Sequence, residues 1–302
     1  MNIEVEYIDN NGNKSNKNYY ISKLGLVKHM AVSGQRYAPA PHKISRIMGM
    51  FFRFSYFLQS SFLKDNKFSQ PPDILYDLTE KSHFSNIAGK AIADFLAKKI
   101  DNAIYSVNYE AAMKMKNMPI IGGRPDLLVF TNNSKFAIEA KGYCRKYVTD
   151  MHKHKHQSQS GRIPVNFTVA CVSYNLYDQV RCNYHDPFND DVEFDDELFV
   201  ILTKKYYAGL LKFLSYGEYT EVEFNREKFY EIDLFSRYFK EYGNIFGSSF
   251  VDLHHKKRLK LILPKDIENY ALNGLNKDTE PFLFEGDEYT YIDNDRVGLL
   301  LR

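Results

Sequence analysis

The chain reads IIGGRPDLLVF over residues 120–130 and FAIEAK over residues 136–141. Side chains alternate between the two faces of a β-strand, so Glu139 and Lys141 point to the same side of the second segment. The intervening TNNS at residues 131–134 has the composition of a hairpin turn. Antiparallel pairing of the two segments would place Asp126 beside Glu139 and Lys141. The pattern therefore predicts two carboxylates and an ammonium at one end of a sheet.

This grouping suits the hydrolysis of a phosphodiester. Hard cations such as Mg²⁺ or Mn²⁺ prefer oxygen ligands, and Mg²⁺ is typically held by one or two carboxylates plus water and phosphate oxygens. Asp126 and Glu139 are the predicted metal ligands, with the carbonyl of Ala140 as a further ligand. Lys141 is predicted to orient the attacking water or to stabilise the charge that builds on the phosphate.

The residues around the motif alternate between helical and strand patterns. Apolar residues recur every three or four positions over residues 82–100, which indicates a helix. The next predicted strands are residues 103–109, 119–121, 126–130 and 135–140. A polar, basic helix over residues 145–161 and a buried strand over residues 165–174 follow. This order predicts an α/β layer with a mixed sheet.

Pro125-Asp126 and Glu139-Ala140-Lys141, in this order of elements, resemble the PD-(D/E)XK nuclease superfamily. That superfamily includes restriction endonucleases, Holliday-junction resolvases and RecB-type exonuclease domains, and the resemblance covers residues 82–175. It implies a restriction-endonuclease-like core with the order α-β-β-β-α-β, in which helices flank a mixed sheet, with N- and C-terminal additions. The corresponding division is an accessory region over residues 1–75, the nuclease core over residues 76–183 and a second accessory region over residues 184–302.

The resemblance implies further site residues. Gln157 corresponds to a glutamine of the RecB-type branch that contacts the active-site water or DNA, with Gln159 as the competing candidate. His83 resembles the histidine that serves as a metal ligand in some RecB-type members, although a capping or surface histidine is the alternative. The helix before the motif often carries a glutamate in that superfamily, whereas Lys90 stands at such a position here. This departure leaves the number of metal ions open.

A basic stretch follows the motif. The residues expected to neutralise phosphates of a nucleic acid are Arg124, Arg145, Lys146, Lys153, Lys155 and Arg162. A solvated basic face is the alternative for this stretch. His152 and His156, four residues apart, form a further candidate metal pair if they lie on a helix, but no third ligand stands nearby. A second basic run at residues 254–258 is either a DNA contact or a surface cluster.

The bulk composition is that of a soluble, folded protein. The chain has 302 residues, a formal net charge of +2 and three scattered cysteines, so neither a disulfide framework nor a zinc ribbon is expected. The most hydrophobic stretch, residues 47–63, is interrupted by Arg53 and falls short of the roughly 20 apolar residues of a spanning helix. We therefore expect a cytoplasmic protein without membrane contact.

The regions outside the core carry their own expectations. Residues 1–20 are expected to form a hairpin turned at residues 10–13, and residues 23–63 to be helical with a break at 38–41. A boundary is expected at residues 69–72, and the acid-rich residues 185–197 are expected to form a solvated loop. Residues 198–203 are expected to be a strand, residues 204–216 and 227–242 helices, and the tail mixed β-structure.

Together these observations predict a metal-dependent nuclease that hydrolyses DNA with Mg²⁺ or Mn²⁺, an endonuclease in restriction or antiviral defence. The expected partner is DNA, and the expected assembly is a homodimer or one subunit of a larger defence complex. Two alternatives stay open. One is a catalytically inactive nucleic-acid-binding or scaffold subunit with the nuclease fold. The other is a nuclease that acts on RNA, ends or junctions, since the catalytic group reads phosphate and not base.

Overall fold

The computed structural model describes residues 1–9, 11–34, 63–64, 67–68, 77–145, 150–189, 192–215, 218–233, 259–282, 284 and 287–302. Several expectations fall outside these residues. They are the break at 38–41, the boundary at 69–72, the basic residue Lys146 and the basic run at 254–258. Within the described part of the chain, no helix combines the length and the apolar character needed to cross a membrane.

The first large element is a mixed sheet of seven strands in the order β2-β1-β9-β8-β7-β6-β5. Its strands are β1 Asn2–Ile8, β2 Lys14–Tyr20, β5 Tyr105–Asn108, β6 Leu127–Phe130, β7 Lys135–Gly142, β8 Phe167–Tyr174 and β9 Arg181–Asn189. Strands β5, β6 and β7 form an antiparallel meander, and β8 runs parallel to β7. Strand β9 is antiparallel to β8 and parallel to β1, which pairs with β2 as the predicted N-terminal hairpin.

Helix α1 Lys23–Val32 packs against α2 Leu78–Ile100, and α2 contacts this sheet together with α3 Tyr109–Met115 and α4 Met151–Gln159. Helix α2 begins four residues before the predicted start at residue 82, because the Asp77 side chain accepts a hydrogen bond from the backbone of Thr79 at 2.7 Å. Its apolar stripe, which includes Phe84, Ile92 and Phe95, is buried as the periodicity predicts. Helices α2 and α4 both contact β7 and β8.

The second large element is an antiparallel sheet of five strands in the order β10-β11-β12-β14-β13. Its strands are β10 Tyr219–Phe224, β11 Glu227–Asp233, β12 Leu259–Pro264, β13 Thr290–Ile292 and β14 Gly298–Leu301. Helix α5 Asp196–Leu211, a 3₁₀ turn Lys212–Ser215 and helix α6 Ile267–Asn273 accompany it. A short hairpin, β3 Leu63–Lys64 with β4 Lys67–Phe68, completes the described elements. The described residues therefore form a mixed α/β fold with two large sheets.

Four local predictions were wrong. Residues 198–203 belong to helix α5 and not to a strand, because Asp195 caps the helix and Leu198, Leu202 and Tyr206 recur at helical spacing on its buried side. Residues 227–233 form strand β11 and not a helix. Residues 119–121 lie outside any strand. The acid-rich stretch 185–197 is not one loop, since β9 extends to Asn189 and α5 begins at Asp196.

A buried ionic cluster joins the N-terminal helices to the turn between β13 and β14. Lys28 on α1 donates to Asp293 at 2.9 Å and to the two oxygens of Asp295 at 2.9 and 2.8 Å. Lys98 on α2 donates to the same carboxylates at 2.8 and 3.2 Å. All four side chains are at most 4% exposed. Because isolated buried charges are very unfavourable, this mutual pairing holds the segments together.

A histidine and a third carboxylate extend the cluster. His29 Nδ1 lies 2.6 Å from Asp94 Oδ2, and His29 Nε2 shares a hydrogen bond of 2.8 Å with the hydroxyl of Tyr291. Ser33 also donates to Asp94, at 2.9 Å. Burial raises the pKa of the Asp94 carboxyl, but the charge of Lys98 and the hydrogen bond from His29 outweigh burial and hold that pKa well below its usual value.

Candidate active site

The loop before β6 and the body of β7 bring the predicted catalytic residues together. The register pairs Leu127 with Ile138, so Asp126 lies opposite Glu139. The Asp126 amide donates to the carbonyl of Ile138 at 2.9 Å, and the Asp126 carbonyl accepts from the amide of Tyr109 at 3.0 Å. At the other end of the strands, residues 131–134 form the predicted turn, in which the Thr131 amide donates to Ser134 at 2.9 Å. The hairpin therefore fixes Asp126 against β7.

The carboxylate of Asp126 meets two ammonium groups. Its Oδ2 lies 3.5 Å from Lys141 Nζ and accepts from the amide of Ala140 at 3.2 Å. Its Oδ1 lies 3.0 Å from Lys90 Nζ. Lys90 extends from helix α2, and sequence reasoning noted its position without giving it a role. Only the packing of α2 on the sheet shows that its charge reaches the site.

Glu139 differs from Asp126 and Lys141 in being completely buried. Its Oε1 lies 2.5 Å from Lys141 Nζ. Neither carboxylate oxygen has a hydrogen-bond partner of good geometry among the described residues. Burial and the nearby charge of Asp126 raise the pKa of Glu139 to about 7, against the opposing effect of Lys141 and Lys90. A buried carboxyl group is stabilised either by a neighbouring cation or by protonation, because an unpaired buried charge is very unfavourable.

Lys141 is held as a cation by these acids. Burial lowers its pKa, but the charges of Asp126 and Glu139 outweigh burial and raise the pKa above its usual value. His154 on α4, which the sequence did not single out, is buried on this side of the sheet. Burial lowers its pKa first and the charge of Lys141 lowers it further. The raised pKa of Lys141 keeps its side chain an ammonium at neutral pH.

A close contact between α2 and β7 sets this geometry. A Cβ atom added at Gly89 would lie 2.5 Å from the amide nitrogen of Gly142, and one added at Gly142 would collide with the carbonyl oxygen of Ser85. Helix and strand thus touch through backbone atoms. Because Lys90 follows Gly89 directly, this contact places its ammonium at the end of the sheet where Asp126 lies.

We expect Gly142→Ala to lower the free energy of unfolding by about 1–3 kcal/mol, the usual effect of overpacking. Urea denaturation measures this change. Gly123→Ala is the matched control, because a Cβ there would find its nearest atom at 3.8 Å, an ordinary contact. Equal stability of the two variants would show that α2 and β7 can separate at no cost.

The remaining predicted site residues lie in different surroundings. Gln157 on α4 donates to the carbonyl of Arg124 at 3.3 Å, and Gln159 is exposed. Arg124 pairs with Glu110 on α3 and donates to the carbonyl of Gly122 at 3.0 Å, so its guanidinium is already engaged. His83 is exposed on the second turn of α2. Gln157 thus donates its hydrogen bond to the loop before Asp126.

The basic residues of α4 and of the turn after it face solvent. Lys153 on α4 and Arg162 beyond its end are exposed, Lys155 is partly exposed, and none of them forms an ion pair within the described parts of the chain. Arg145 is exposed at the end of the segment that follows β7. Asp150 caps α4 by accepting from the amide of His152 at 3.1 Å. These cations are free to meet phosphates near the site.

The carboxylates of Asp126 and Glu139 are the oxygen donors that the described residues offer to a divalent cation, and Glu139 Oε2 has no hydrogen-bond partner among those residues. Over those same residues, no three His, Cys, Asp or Glu side chains gather into a metal-binding group, so His83 does not join the two acids. Mg²⁺ commonly binds through one or two carboxylates and keeps several waters.

No protein-family model, no curated protein and no solved structure matches this chain.

Proposed function

We propose that this protein is a metal-dependent nuclease that hydrolyses phosphodiester bonds of DNA. The observation that carries the proposal is the fully buried Glu139 carboxylate beside Asp126: its Oε1 lies 2.5 Å from Lys141 Nζ, and its Oε2 has no hydrogen-bond partner among the described residues. A purely structural acid would be expected to satisfy its oxygens with donors. Asp126 and Glu139 are candidate ligands for a hard cation, and Lys141 places an ammonium beside them. Both groups can stabilise the negative charge that builds on a phosphate during hydrolysis.

The order of elements supports a restriction-endonuclease-like core. Helix α2, the meander β5-β6-β7, helix α4 and strand β8 follow one another, and β8 pairs in parallel with β7. This matches the arrangement α-β-β-β-α-β that the motif implies, with helix α3 inserted between β5 and β6. Strands β9, β1 and β2 then extend the sheet beyond that core.

Each residue has a role in this mechanism. Asp126 and Glu139 would hold Mg²⁺ or Mn²⁺, with the Ala140 carbonyl as a further ligand. Once bound, such an ion lowers the pKa of a coordinated water and offsets negative charge on the phosphate. Lys141, held as a cation between the two acids, stabilises the charge that develops on the phosphate or orients the attacking water. Lys90 adds a second positive charge at Asp126.

The test is incubation of the purified protein with supercoiled, linear and single-stranded DNA and with RNA, in Mg²⁺, Mn²⁺ or Ca²⁺. We expect nicking and linearisation of supercoiled DNA in Mg²⁺ or Mn²⁺, as an endonuclease in restriction or antiviral defence would show. Cleavage confined to RNA, ends or junctions would redirect the proposal to that substrate. Folded protein that cleaves none of these substrates would be a binding or scaffold subunit instead.

Lys90→Met should strengthen Mg²⁺ binding in the absence of DNA. The ammonium lies 3.0 Å from Asp126 Oδ1 and opposes a second cation there, whereas methionine keeps most of the apolar stem and removes the charge. Isothermal titration calorimetry measures the affinity without relying on turnover. Lys99→Met, on the same helix but exposed, is the control. Weaker binding by Lys90→Met would mean that Lys90 helps to build the metal site.

Replacing Lys153, Lys155 and Arg162 together with alanine should flatten the salt dependence of DNA binding. Each phosphate contact contributes a slope of about 0.9 in log affinity against log salt on duplex DNA, so three contacts give roughly two to three units. Binding titrations in Ca²⁺ at several salt concentrations measure the slope. The matched control replaces the exposed Lys99, Lys114 and Lys204. An unchanged slope would leave this face of α4 as a solvated surface.

A further inference from the structure

A second concave surface lies on the outer strands of the seven-stranded sheet. Its volume is about 430 Å³, within the range of small-ligand sites. Side chains from β1, β2 and β9, together with Tyr174 at the end of β8, line it. We refer to this surface as the outer groove. Its lining includes Glu4, Glu6, Asn16, Asn18, Tyr174 and Arg181.

The outer groove lies on the same face of the sheet as the candidate active site. Paired residues of neighbouring strands point to the same side, and the register links Lys141 to Val172 and Val172 to Asn183. Asn183 pairs in turn with Glu6, and Glu6 with Asn16. With strands about 4.7–4.9 Å apart, Asn183 lies roughly 10 Å from Lys141 across the sheet. That span corresponds to a few nucleotides.

The charges of the groove favour bases over phosphates. Glu4 and Glu6 point into it, and each is already paired, Glu4 with Arg181 at 2.9 Å and Glu6 with His185 at 3.3 Å. Lys17 and Arg181 also line the groove, so its two carboxylates and two cations leave no net positive charge to attract a phosphate backbone. The carboxylates can accept hydrogen bonds from the amino groups of bases, as acids do from cytosine.

The uncharged groups of the groove suit bases as well. The amides of Asn16 and Asn18 are exposed on β2, and an asparagine amide can donate to and accept from one base edge. The partly exposed Tyr174 offers a ring on which a base can stack. Bases offer their ring faces for stacking on an aromatic side chain only when they are unpaired. This chemistry therefore points to a single-stranded segment.

Helix α4 supplies the complementary positive side. It packs on β7 and β8, between the candidate active site and β9. Lys155 of α4 acts on His185 of β9: burial lowers the pKa of His185 and the charge of Lys155 lowers it further. The charge of Lys155 therefore reaches β9, the strand of the groove that lies nearest the active site, where a backbone phosphate would pass.

We propose that the outer groove binds unpaired bases of a nucleic-acid strand that flanks the scissile phosphate, with Tyr174 as a stacking platform and the β2 amides as base-edge contacts. This rests on the proposed nuclease function for the identity of the strand. The groove would then give the enzyme a preference for substrates with a single-stranded segment beside the cleaved bond.

The test compares Tyr174→Ala and Asn18→Ala with the wild type. Fluorescence anisotropy in Ca²⁺ measures binding of short dA, dC and dT oligonucleotides and of a blunt duplex, and cleavage is followed in Mg²⁺. We expect Tyr174→Ala to weaken single-strand binding about 5- to 150-fold, the effect of losing one base–ring stack, and to change duplex binding little. Asn18→Ala should alter the order of preference among the three oligonucleotides. Tyr219→Ala and Asn269→Ala, exposed residues outside the groove, are the matched controls.

The outcomes separate this inference from the proposed function. If the wild type cleaves DNA and both groove variants bind every oligonucleotide as it does, the groove assignment is overturned and the nuclease stands. A second outcome is that the wild type cleaves no substrate while its binding of single strands depends on Tyr174 and Asn18. In that case the groove assignment stands and the nuclease function is overturned. Tyr174→Phe, which keeps the ring, should retain binding. If it binds as weakly as Tyr174→Ala, the ring does not act as a stacking platform.

Discussion

Asp126→Asn should abolish metal-dependent cleavage while the protein remains folded. The amide keeps the shape of the carboxylate and can still accept the hydrogen bond from the Ala140 amide, which spans 3.2 Å. It removes one of the two carboxylates that the described residues place at the site. We expect a loss of more than about 100-fold, because changes one shell further from a metal already cost 10–100-fold. A gel assay of plasmid cleavage with excess Mg²⁺ measures the loss.

Two further variants make this result specific. Asp278→Asn neutralises an exposed carboxylate outside the site and should cut like the wild type. Lys141→Arg keeps a positive charge but replaces the compact ammonium that contacts both acids, and it should lose most activity. Wild-type turnover by Asp126→Asn would place the chemistry elsewhere in the molecule.

Lys98→Met should lower the free energy of unfolding by about 3–5 kcal/mol, the usual cost of removing one partner of a buried ion pair. Methionine fills much of the same volume, so the change isolates the charge. It leaves Asp293 and Asp295 with Lys28 as their remaining lysine partner. Lys99→Met, the exposed neighbour on the same helix, is the control and should change stability by less than about 0.5 kcal/mol. Equal unfolding midpoints for the two variants would contradict a stabilising role for the cluster.

Acid should act on the same cluster. Burial raises the pKa of Asp293 but the charges of Lys28 and Lys98 outweigh it, so the pKa lies well below its usual value, as for Asp94. Groups with a depressed folded-state pKa add stability above their unfolded pKa of about 3.9, and this stability is lost as pH falls through the folded pKa. Lys98→Met should raise the folded-state pKa values of Asp94 and Asp293, so acid unfolding of this variant should begin at a higher pH than that of the wild type. Denaturation at several pH values measures the shift.

Sequence patterns predicted the parts of the fold that local rules control. The N-terminal hairpin, helix α2 and strands β5 to β8 follow from period, turn composition and capping, and the structure confirms them. Strand period and one turn sufficed to bring Asp126, Glu139 and Lys141 together, although their catalytic roles stay a prediction. Residues 198–203 were misassigned because a short apolar run fits a strand and a buried helix equally well.

The remainder depends on contacts between distant parts of the chain. Lys28 and Lys98 look like ordinary surface charges in the sequence, because no pattern near them predicts their pairing with Asp293 and Asp295. Lys90 shows the same limit at the site, since its contact with Asp126 follows from how α2 packs on β7. A buried lysine can be distinguished from an exposed one only when its distant partner is known.

The pairing of Lys28 with Asp293 also has a consequence for synthesis of the protein. These residues are 265 positions apart. At about 5–20 residues per second, the ribosome makes Asp293 roughly 13–50 s after Lys28. During that interval the Lys28 ammonium cannot pair with Asp293 or Asp295, because neither residue has yet been synthesised. Helix α1 can pack against α2 earlier, but its full burial in the core is expected only near the end of translation.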